Sequence, residues 1–336
     1  MKRYLLSFAI TAVSAAAIPA LAVIFTGKEA CPPPAPEESI TADPPGSEPA
    51  DCYKVLDIST GKVEQVPVRD YVIGAVCAEM PASFGEEALK AQAAAAHTYA
   101  ERQHLLSQES PDPELHGADF SNDPGRYQGW LSLDEIKRCY GDDFDKYYQK
   151  VSSAADQVID CIITYQDEPI IPAFHSMSPG KTESAENVWG APVEYLVPVD
   201  SLSDISAPRY MEEAQFSREV LREKLEEAFG ELSLGEDMSE WVKITDVSDS
   251  GTVLAAIAGG REVTGGELRT ALGLRSACFD YSAQDGTAVF TTKGFGHGVG
   301  MSQYGANAMA QAGSSWQEIL EHYYPGCTLT FPENPQ

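Results

Sequence analysis

The chain has 336 residues, of which 43% are apolar, and its formal net charge at pH 7 is −28. This charge excludes nucleic acid as a partner, because phosphates need neutralisation by Lys and Arg, and it disfavours adsorption to an anionic membrane surface. The length is sufficient for one or two domains with hydrophobic cores.

The N-terminus combines two basic residues, Lys2 and Arg3, with an apolar run from Tyr4 to Phe25. About 20 apolar residues span a bilayer as a helix, so residues 1–27 are interpreted as an uncleaved signal anchor. The basic residues before the run predict a cytoplasmic N-terminus and an exported remainder. A cleaved signal peptide is the alternative interpretation.

Residues 28–52 are rich in proline and acidic side chains. This composition is typical of an extended, disordered linker, which would hold a folded domain away from the membrane. The folded domain is predicted to cover residues 53–330, and no internal repeat is visible in it.

The elements that follow are predicted in chain order from periodicity and turn residues. A hairpin at 53–66 is followed by a helix at 68–80, which Pro81 ends. A capping box at 83–86 (SFGE) starts an alanine-rich helix that runs to about Leu106. The next predicted elements are a loop at 112–127, a helix at 142–156 and strands at 161–165 and 170–174.

The C-terminal half mixes both element types. Helices are predicted at 216–229, 267–272, 302–311 and 315–323, and strands within 242–263 and at 288–292. No regular βαβ rhythm appears, so the predicted fold class is α+β, with mixed helices and antiparallel strands.

Several catalytic motifs are absent from the sequence. The glycine run at 294–300 is not a dinucleotide fingerprint, because Val299 and Met301 stand where GxGxxG needs glycine. The sequence also lacks GxxxxGK[ST], HExxH and GxSxG, which removes support for nucleotide hydrolases, zincins and α/β-hydrolases.

Glu79, within residues 78–81 (AEMP), stands at the end of a mostly apolar helix. Partial desolvation and the negative end of the helix dipole both favour the protonated carboxyl group and raise its pKa. A raised pKa suits a general acid at neutral pH. The alternative is an ordinary solvent-facing glutamate.

Two further segments are dense in groups that could hydrogen-bond a sugar. One of them is residues 174–183 (FHSMSPGKTE). Its alternative interpretation is a turn whose Ser and Thr side chains hydrogen-bond the backbone of the turn itself. The other is the glycine run at 294–300, whose glycines at alternate positions would let the backbone lie flat against a ligand. The alternative interpretation of this run is a tight turn around a core histidine. The candidate substrate-binding residues are His175, Ser176, Ser178, Gly180, Thr182, Glu183, Gly296, His297, Gly298, Ser302 and Gln303.

Four segments resemble, in order, the signatures of the stage II sporulation protein D family. They are residues 78–93, from AEMP to ALKAQA, residues 175–190 (HSMSPGKTESAENVWG), residues 265–276 (GGELRTALGLRS) and residues 294–306 (GFGHGVGMSQYGA). The resemblance spans about residues 67–327 and is loose over residues 200–262.

The resemblance implies a lytic transglycosylase that cleaves peptidoglycan between N-acetylmuramic acid and N-acetylglucosamine. Its catalytic acid would be Glu79, and no cofactor is implied. Members act during engulfment, from the mother-cell membrane that faces the forespore, on glycan strands whose stem peptides have been removed. The implied partners are an amidase like stage II sporulation protein P and a membrane protein. The sequence does not separate a sporulation protein from a vegetative relative.

A single carboxyl group suffices for this reaction. Ordinary glycosidases use two carboxylates, whereas here the 6-hydroxyl of muramic acid would attack its own anomeric carbon to give a 1,6-anhydro ring. Glu183 is the nearest candidate for a second carboxylate. The glycine run and His297 would contact the glycan in a cleft shared with Glu79 and the His175 segment.

Some family members carry a zinc site after a segment like residues 116–119 (HGAD). In this chain Ser121, Arg126 and Tyr127 stand at the expected ligand positions and cannot make that site. No metal is therefore predicted, and His116 is interpreted as a loop histidine.

Three other functions remain open at this stage. A family member without catalysis would be a glycan-binding module. Cys77 and His297 could form a thiol hydrolase, although Cys77 lies in an apolar helix where an inert thiol is expected. His175, Glu183 and His297 could instead bind a metal.

Overall fold

The computed structural model describes residues 51–331. The strands are β1 (Cys52–Asp57), β2 (Lys62–Pro67), β3 (Phe120–Ser121), β4 (Ile162–Tyr165), β5 (Glu168–Pro169), β6 (Phe174–His175), β7 (Met211–Ser217), β8 (Val242–Val247), β9 (Val253–Ala258), β10 (Arg261–Val263), β11 (Phe279–Gln284), β12 (Thr287–Lys293), β13 (Met301–Ser302) and β14 (Thr328–Thr330). The α-helices are α1 (Val68–Glu79), α2 (Glu86–Glu109), α3 (Leu133–Tyr140), α4 (Phe144–Asp156), α5 (Ala185–Trp189), α6 (Arg218–Phe229), α7 (Gly265–Leu272), α8 (Gln303–Gln311) and α9 (Trp316–Tyr323).

The described chain forms two compact units. The first unit contains residues 51–172, 313–317 and 327–331, and the second contains residues 173–312 and 318–326. Helices and mainly antiparallel sheets are present in this mixed fold, as the sequence predicts.

The predicted anchor at 1–27 and nearly all of the predicted linker at 28–52 lie outside the described residues. Within residues 51–331, no helix combines the length and the apolar character needed to cross a membrane. The anchor therefore stays a prediction.

The first unit begins with the predicted hairpin. Strands β1 and β2 pair antiparallel from Cys52–Pro67 to Asp57–Lys62, and the Gly61 N–H closes the turn on the Asp57 carbonyl at 2.8 Å. Strand β3 extends this sheet by pairing parallel to β1, within the segment predicted as a loop. A second sheet has the order β14-β4-β5.

Helix α1 is the buried helix of the first unit, and its residues from Tyr71 to Glu79 are all buried. It packs on α2, whose small alanine side chains allow close approach of the two helices. On its other side, the Tyr71 ring contacts Phe120 at a centroid distance of 5.0 Å and stacks on Trp130 at 6.3 Å. This packing fixes the C-terminal end of α1, where Glu79 lies.

The predicted capping box at residues 83–86 is wrong. Helix α2 starts at Glu86 with Gly85 as its N-cap and without a side-chain capping bond, so Ser83 stands too far outside the first turn to cap it. The capping box instead joins Ser132 and Glu135 at the start of α3, a helix that the sequence did not reveal.

The predicted strand at 170–174 is also wrong, because only Phe174 and His175 are in strand conformation. Pro172 lacks an N–H group and cannot donate to a strand ladder. The Ala173 carbonyl instead accepts from the Tyr324 hydroxyl at 2.8 Å and from the Met301 N–H at 2.9 Å.

The second unit has a hydrophobic core between its helices and sheets. Sheets of order β10-β9-β8 and β11-β12-β7 contribute inward side chains such as Val242, Ala256 and Phe290, and α6 and α7 contribute Leu221 and Leu268. Strand β7 includes the first two residues of the helix predicted at 216–229, and that helix begins at Arg218. The alternation of exposed and half-buried residues along β7 is typical of a strand.

The glycine run packs its backbone against residues 173–183 of the same unit. Gly294, Gly296, Gly298 and Gly300 all have positive φ angles, between 72° and 112°. A Cβ atom at Gly300 would lie 2.0 Å from the Ala173 carbonyl oxygen, and one at Gly296 would lie 2.7 Å from the His175 Cβ. Glycine is required here because two backbone segments meet at contact distance.

We predict that Gly300→Ala destabilises the protein by about 3 kcal/mol, because the new Cβ both strains a left-handed residue and collides with backbone. Unfolding in urea, followed by circular dichroism, measures this change. Gly190→Ala is the matched control, since Gly190 has a φ of 76° and no atom within 4 Å of an added Cβ. This control should cost only about 1 kcal/mol. Equal losses in the two variants would contradict the close backbone contact.

Candidate active site

Glu79 lies at the C-terminal end of α1, with its side chain almost completely buried at 3% exposure. Its Oε1 atom accepts a hydrogen bond from the Gly129 backbone N–H at 2.7 Å. An ordinary solvent-facing glutamate, the alternative considered from the sequence, does not describe this position.

Residues 128–131 cover α1 on the side that leads to Glu79. The Leu131 N–H donates to the Gly74 carbonyl at 3.3 Å, and a Cβ at Gly74 would lie 2.5 Å from the Trp130 Nε1. A Cβ at Gly129 would lie 2.6 Å from Glu79 Oε1. Both glycines are therefore needed for the segment to lie this close to the helix and to the carboxyl group.

Burial raises the pKa of Glu79 from 4.5 to about 7, and the Gly129 N–H opposes the shift because it stabilises the carboxylate. No charged side chain of the described residues contributes to the shift. At neutral pH a substantial fraction of Glu79 therefore carries a proton, which it can donate.

Other buried polar groups lie in the same region of the first unit. The Gln128 side chain, which adjoins Gly129, and the Tyr71 hydroxyl have no hydrogen-bond partner among the described residues. Burial also raises the pKa of Tyr71 well above its usual range, and the nearby Glu79 adds to the effect, so its hydroxyl stays protonated.

The predicted sugar-binding segment 174–183 lies in the second unit and is held by the buried Asp204. One Asp204 oxygen accepts from the Ser178 N–H at 2.8 Å and from the Ser178 hydroxyl at 2.6 Å, and the other accepts from Ser302 at 2.9 Å. The Gly180 N–H in turn donates to the Ser178 hydroxyl. Ser178, Gly180 and Ser302 thus have structural hydrogen bonds within the protein.

Glu183 and Thr182 are likewise engaged internally. The Glu183 carboxylate accepts from the Ser184 N–H, the Asn187 side-chain amide and the Ser248 hydroxyl. Thr182 accepts from the Val199 N–H at 2.9 Å. Glu183, the candidate second carboxylate, is thus a buried hydrogen-bond acceptor of the second unit, whereas Glu79 belongs to the first.

His175 and His297 are neighbouring buried rings, with centroids 5.8 Å apart. Burial lowers the pKa of His175 to about 4, and burial, together with His175 and Arg269, lowers the pKa of His297 well below its usual range. Both rings are therefore neutral at pH 7. His297 Nδ1 accepts from the Val299 N–H, and the ring also bonds to the Phe174 backbone, as expected of a core histidine.

The remaining candidate substrate-binding residues also lie in the second unit. Gly296 and Gly298 belong to the glycine run, where their backbone meets residues 173–183. Ser176 has a buried hydroxyl without a partner among the described residues, and its carbonyl accepts from the Tyr304 N–H. Gln303 begins α8 as a buried residue. The second unit thus brings together the eleven predicted substrate-binding residues, and a cleft shared with Glu79 stays a prediction.

Two alternative chemistries lose support. Burial raises the pKa of Cys77 to about 12, so its thiol is protonated and unreactive at neutral pH. Within residues 51–331, no group of three or more His, Cys, Asp and Glu side chains could hold a metal ion, and this includes the set of His175, Glu183 and His297. His116 is an exposed residue with a φ of 52°.

Comparison with known proteins identifies the family to which this chain belongs. The profile of a family described as stage II sporulation protein matches residues 57–165. Stage II sporulation protein D of Bacillus amyloliquefaciens is 38% identical over 293 residues, which cover 87% of this chain and 83% of that protein. The chain belongs to the stage II sporulation protein D family.

Further relatives of the chain agree with this family assignment. Stage II sporulation protein D of Bacillus subtilis strain 168 is 33% identical over 340 residues, covering 98% of this chain and 96% of that protein. The amidase enhancer of the same organism is 28% identical over 308 residues, covering 76% of this chain and 40% of that protein. The family is involved in sporulation.

Three residues that shape the candidate sites in the structure could not be identified from the sequence. Gly129 belongs to no motif and reaches Glu79 only through tertiary packing, and the buried Gln128 precedes it in the chain. Asp204 stands in a segment with only loose resemblance, although its carboxylate organises the second motif. A lone acidic residue among serines was the available signal for Asp204, and it is too common to identify a site.

We predict that the Glu79 carboxyl group makes the stability of the protein depend on pH. Its pKa is higher in the folded chain than in the unfolded chain, so the folded state binds the extra proton between pH 4.5 and about 7. Relative to Glu79→Gln, the wild-type unfolding free energy should fall by ~3 kcal/mol across that range and then stay level. Urea unfolding at a series of pH values measures the difference.

The Glu109→Gln variant, at the exposed end of α2, controls for the loss of one acidic side chain. A difference between wild type and Glu79→Gln that stays constant from pH 4.5 to 8 would show that Glu79 is not desolvated. The same flat result would remove the physical basis for Glu79 as an acid at neutral pH.

Proposed function

We propose that this chain is a peptidoglycan lytic transglycosylase with Glu79 as its general acid and base. The observation that carries the proposal is the buried carboxyl group whose pKa is raised to about 7 at the position of the family's AEMP signature. The substrate would be glycan strands without stem peptides, cleaved between N-acetylmuramic acid and N-acetylglucosamine.

In the proposed reaction, protonated Glu79 donates its proton to the glycosidic oxygen as the bond to the anomeric carbon of muramic acid breaks. N-acetylglucosamine leaves with a free 4-hydroxyl group. The 6-hydroxyl of the same muramic acid then bonds to the anomeric carbon, and its proton passes to the Glu79 carboxylate. The 1,6-anhydro ring forms without water, and Glu79 ends the cycle protonated.

The environment of Glu79 favours this reaction over ordinary hydrolysis. A retaining glycosidase places a second carboxylate about 5 Å from the acid, and an inverting one places it about 6.5–9.5 Å away. A carboxylate at the shorter distance would act on the pKa of Glu79, yet burial and the Gly129 N–H are its only causes among the described residues. A one-carboxyl mechanism is consistent with this arrangement.

The unpartnered groups near Glu79 supply candidates for orienting the sugar. Gln128 offers both an amide N–H and a carbonyl oxygen, and Tyr71 offers a hydroxyl. We propose that these groups hydrogen-bond the glycan.

The cellular setting that we propose follows the sequence. The anchor at residues 1–27 would hold the chain in the mother-cell membrane, with the domain at 53–330 on the side facing the forespore. A relative named amidase enhancer supports a partnership with a cell-wall amidase, such as one like stage II sporulation protein P. A membrane protein is the second proposed partner, and the process would be engulfment.

A non-catalytic glycan-binding module remains the second candidate function. It rests on the hydrogen bonds within the second motif, at residues 175–190. These bonds hold the side chains in fixed positions, which suits binding better than a chemical reaction. The two functions differ in whether Glu79 changes the substrate or only binds near it.

We predict that the full-length chain, purified in mild detergent, converts peptide-free strands into fragments that end in 1,6-anhydro-muramic acid. Glu79→Gln should lower the rate by about a hundredfold or more, because general acid catalysis is lost while the shape of the side chain is kept. Mass spectrometry of the products measures both effects. Intact strands that co-sediment with the wild type would instead favour the binding module.

Two glycine variants refine this test. Gly129→Ala places a Cβ in contact with Glu79 Oε1 and should slow cleavage about a hundredfold through misplacement of the acid. Gly125→Ala, in the same loop and without a positive φ, is the matched control and should keep the rate. An unchanged rate in Gly129→Ala would contradict the role of Glu79.

A further inference from the structure

The second unit contains a pocket of about 550 Å³. This volume lies in the range typical of small-molecule sites. The side chains that line it include Asn187, Trp189, Thr252, Arg261, Arg269 and His297. With Phe229, the pocket therefore combines three aromatic rings with two arginines.

Arg269 of α7 is the unusual group in this pocket. Its guanidinium is mostly buried, and burial lowers its pKa. Among residues 51–331 it forms no ion pair or side-chain hydrogen bond, and its Nε atom is buried without a partner. A buried guanidinium without a counter-charge is costly, so an anionic partner is expected to complete it.

The neighbouring groups of the pocket do not neutralise Arg269. Glu267, two residues earlier on α7, directs its carboxylate to the N–H and hydroxyl of Thr264 in a capping box. His297 is a neutral ring. Arg261 adds a second positive charge and donates to the Phe229 carbonyl. The pocket is thus positive within a chain whose net charge is −28.

Trp189 supplies a flat surface and a further donor. Its indole Nε1 is buried without a partner among the described residues, and its ring lies 5.7 Å from the His297 ring. Indole rings pack against the apolar faces of sugars and leave their N–H for a hydroxyl or carbonyl group. An arginine and a tryptophan in one pocket therefore suit a sugar that carries an acid group.

We infer that this pocket binds the lactyl carboxylate of a muramic acid unit, with Arg269 as its ion-pair partner and Trp189 against the sugar ring. This inference rests on the proposed function. The carboxylate is free only where the stem peptide has been removed, because the peptide converts it into a neutral amide. Arg269 thus makes the protein select strands without peptides.

The planar carboxylate matches this site better than a phosphate does. Guanidinium and carboxylate groups form two parallel hydrogen bonds in one plane, and a single arginine can make both. A phosphate group presents more acceptor oxygens and usually draws several donors. The lactyl ether also places the carboxylate next to the sugar ring, so one muramic acid unit carries partners for both Arg269 and Trp189, which line the same pocket.

The test is a binding titration of the full-length chain with three soluble sugars, followed by ligand-observed NMR. N-acetylmuramic acid should bind about tenfold or more tightly than its N-methylamide, because a hydrogen bond between charged groups is lost in the amide. N-acetylglucosamine, which lacks the lactyl group, should bind as weakly as the amide.

Arg269→Gln should abolish the preference for the acid, and Arg269→Lys should keep only part of it, since lysine retains the charge but not the planar fork. Arg138→Gln, which removes an exposed arginine of α3, is the matched control and should keep the full preference. Trp189→Phe should weaken the acid and the amide alike. It gives an independent readout if Arg269→Gln does not fold, and a Trp189→Phe variant with unchanged binding of both sugars would overturn the assignment.

Equal binding of the acid and the amide by wild type would overturn the inference. Displacement of the acid by equimolar inorganic phosphate would also overturn it, because the site would then be a general anion site. Binding is measured without cleavage, so the inference can hold even if Glu79 proves inactive. Conversely, cleavage by a chain that does not distinguish the two sugars would refute the inference alone.

Discussion

The removal of the Glu79 carboxyl group from water is the physical constraint on which this account depends. A carboxylate that remained in solvent would be ionised at neutral pH and could not act as an acid. The first unit builds the dry environment from an apolar helix, α1, and from residues 128–131, which lie across it. The Gly129 N–H limits the shift, so the pKa lies near 7 rather than far above it. A group with this pKa can both give and accept a proton at neutral pH.

The second unit is organised by a different principle. Its motif residues form hydrogen bonds with one another, and the buried Asp204 collects three of them. The glycine run packs its backbone against residues 173–183, which explains four glycines around one imidazole. Most of these polar groups have hydrogen-bond partners within the protein. We therefore expect ligand recognition to depend on the buried polar groups that have none. Arg269 and Trp189 are the clearest examples in the described part of the chain.

Local structure could be predicted from the sequence where one dominant signal was present. The hairpin followed from alternation and a glycine turn, α1 from an apolar run ended by Pro81, and the raised pKa of Glu79 from its place in that run. The start of α2 could not, since Ser83 and Gly85 both suit a cap and only tertiary packing selects between them. The partner of Glu79 lies 50 residues away in the sequence, and the Ser302 that binds Asp204 lies 98 residues away. Contacts at such separations carry no periodicity, so they appear only once the chain is folded.

The most direct test of the central claim is whether water enters the product. Peptide-free strands would be cleaved by the full-length chain in water labelled with heavy oxygen, and the new termini would be weighed by mass spectrometry. Intramolecular attack by the 6-hydroxyl predicts termini without label, because no water oxygen joins the anomeric carbon. Labelled reducing ends would mean that water is the nucleophile, and a one-carboxyl transglycosylase centred on Glu79 would then be the wrong account.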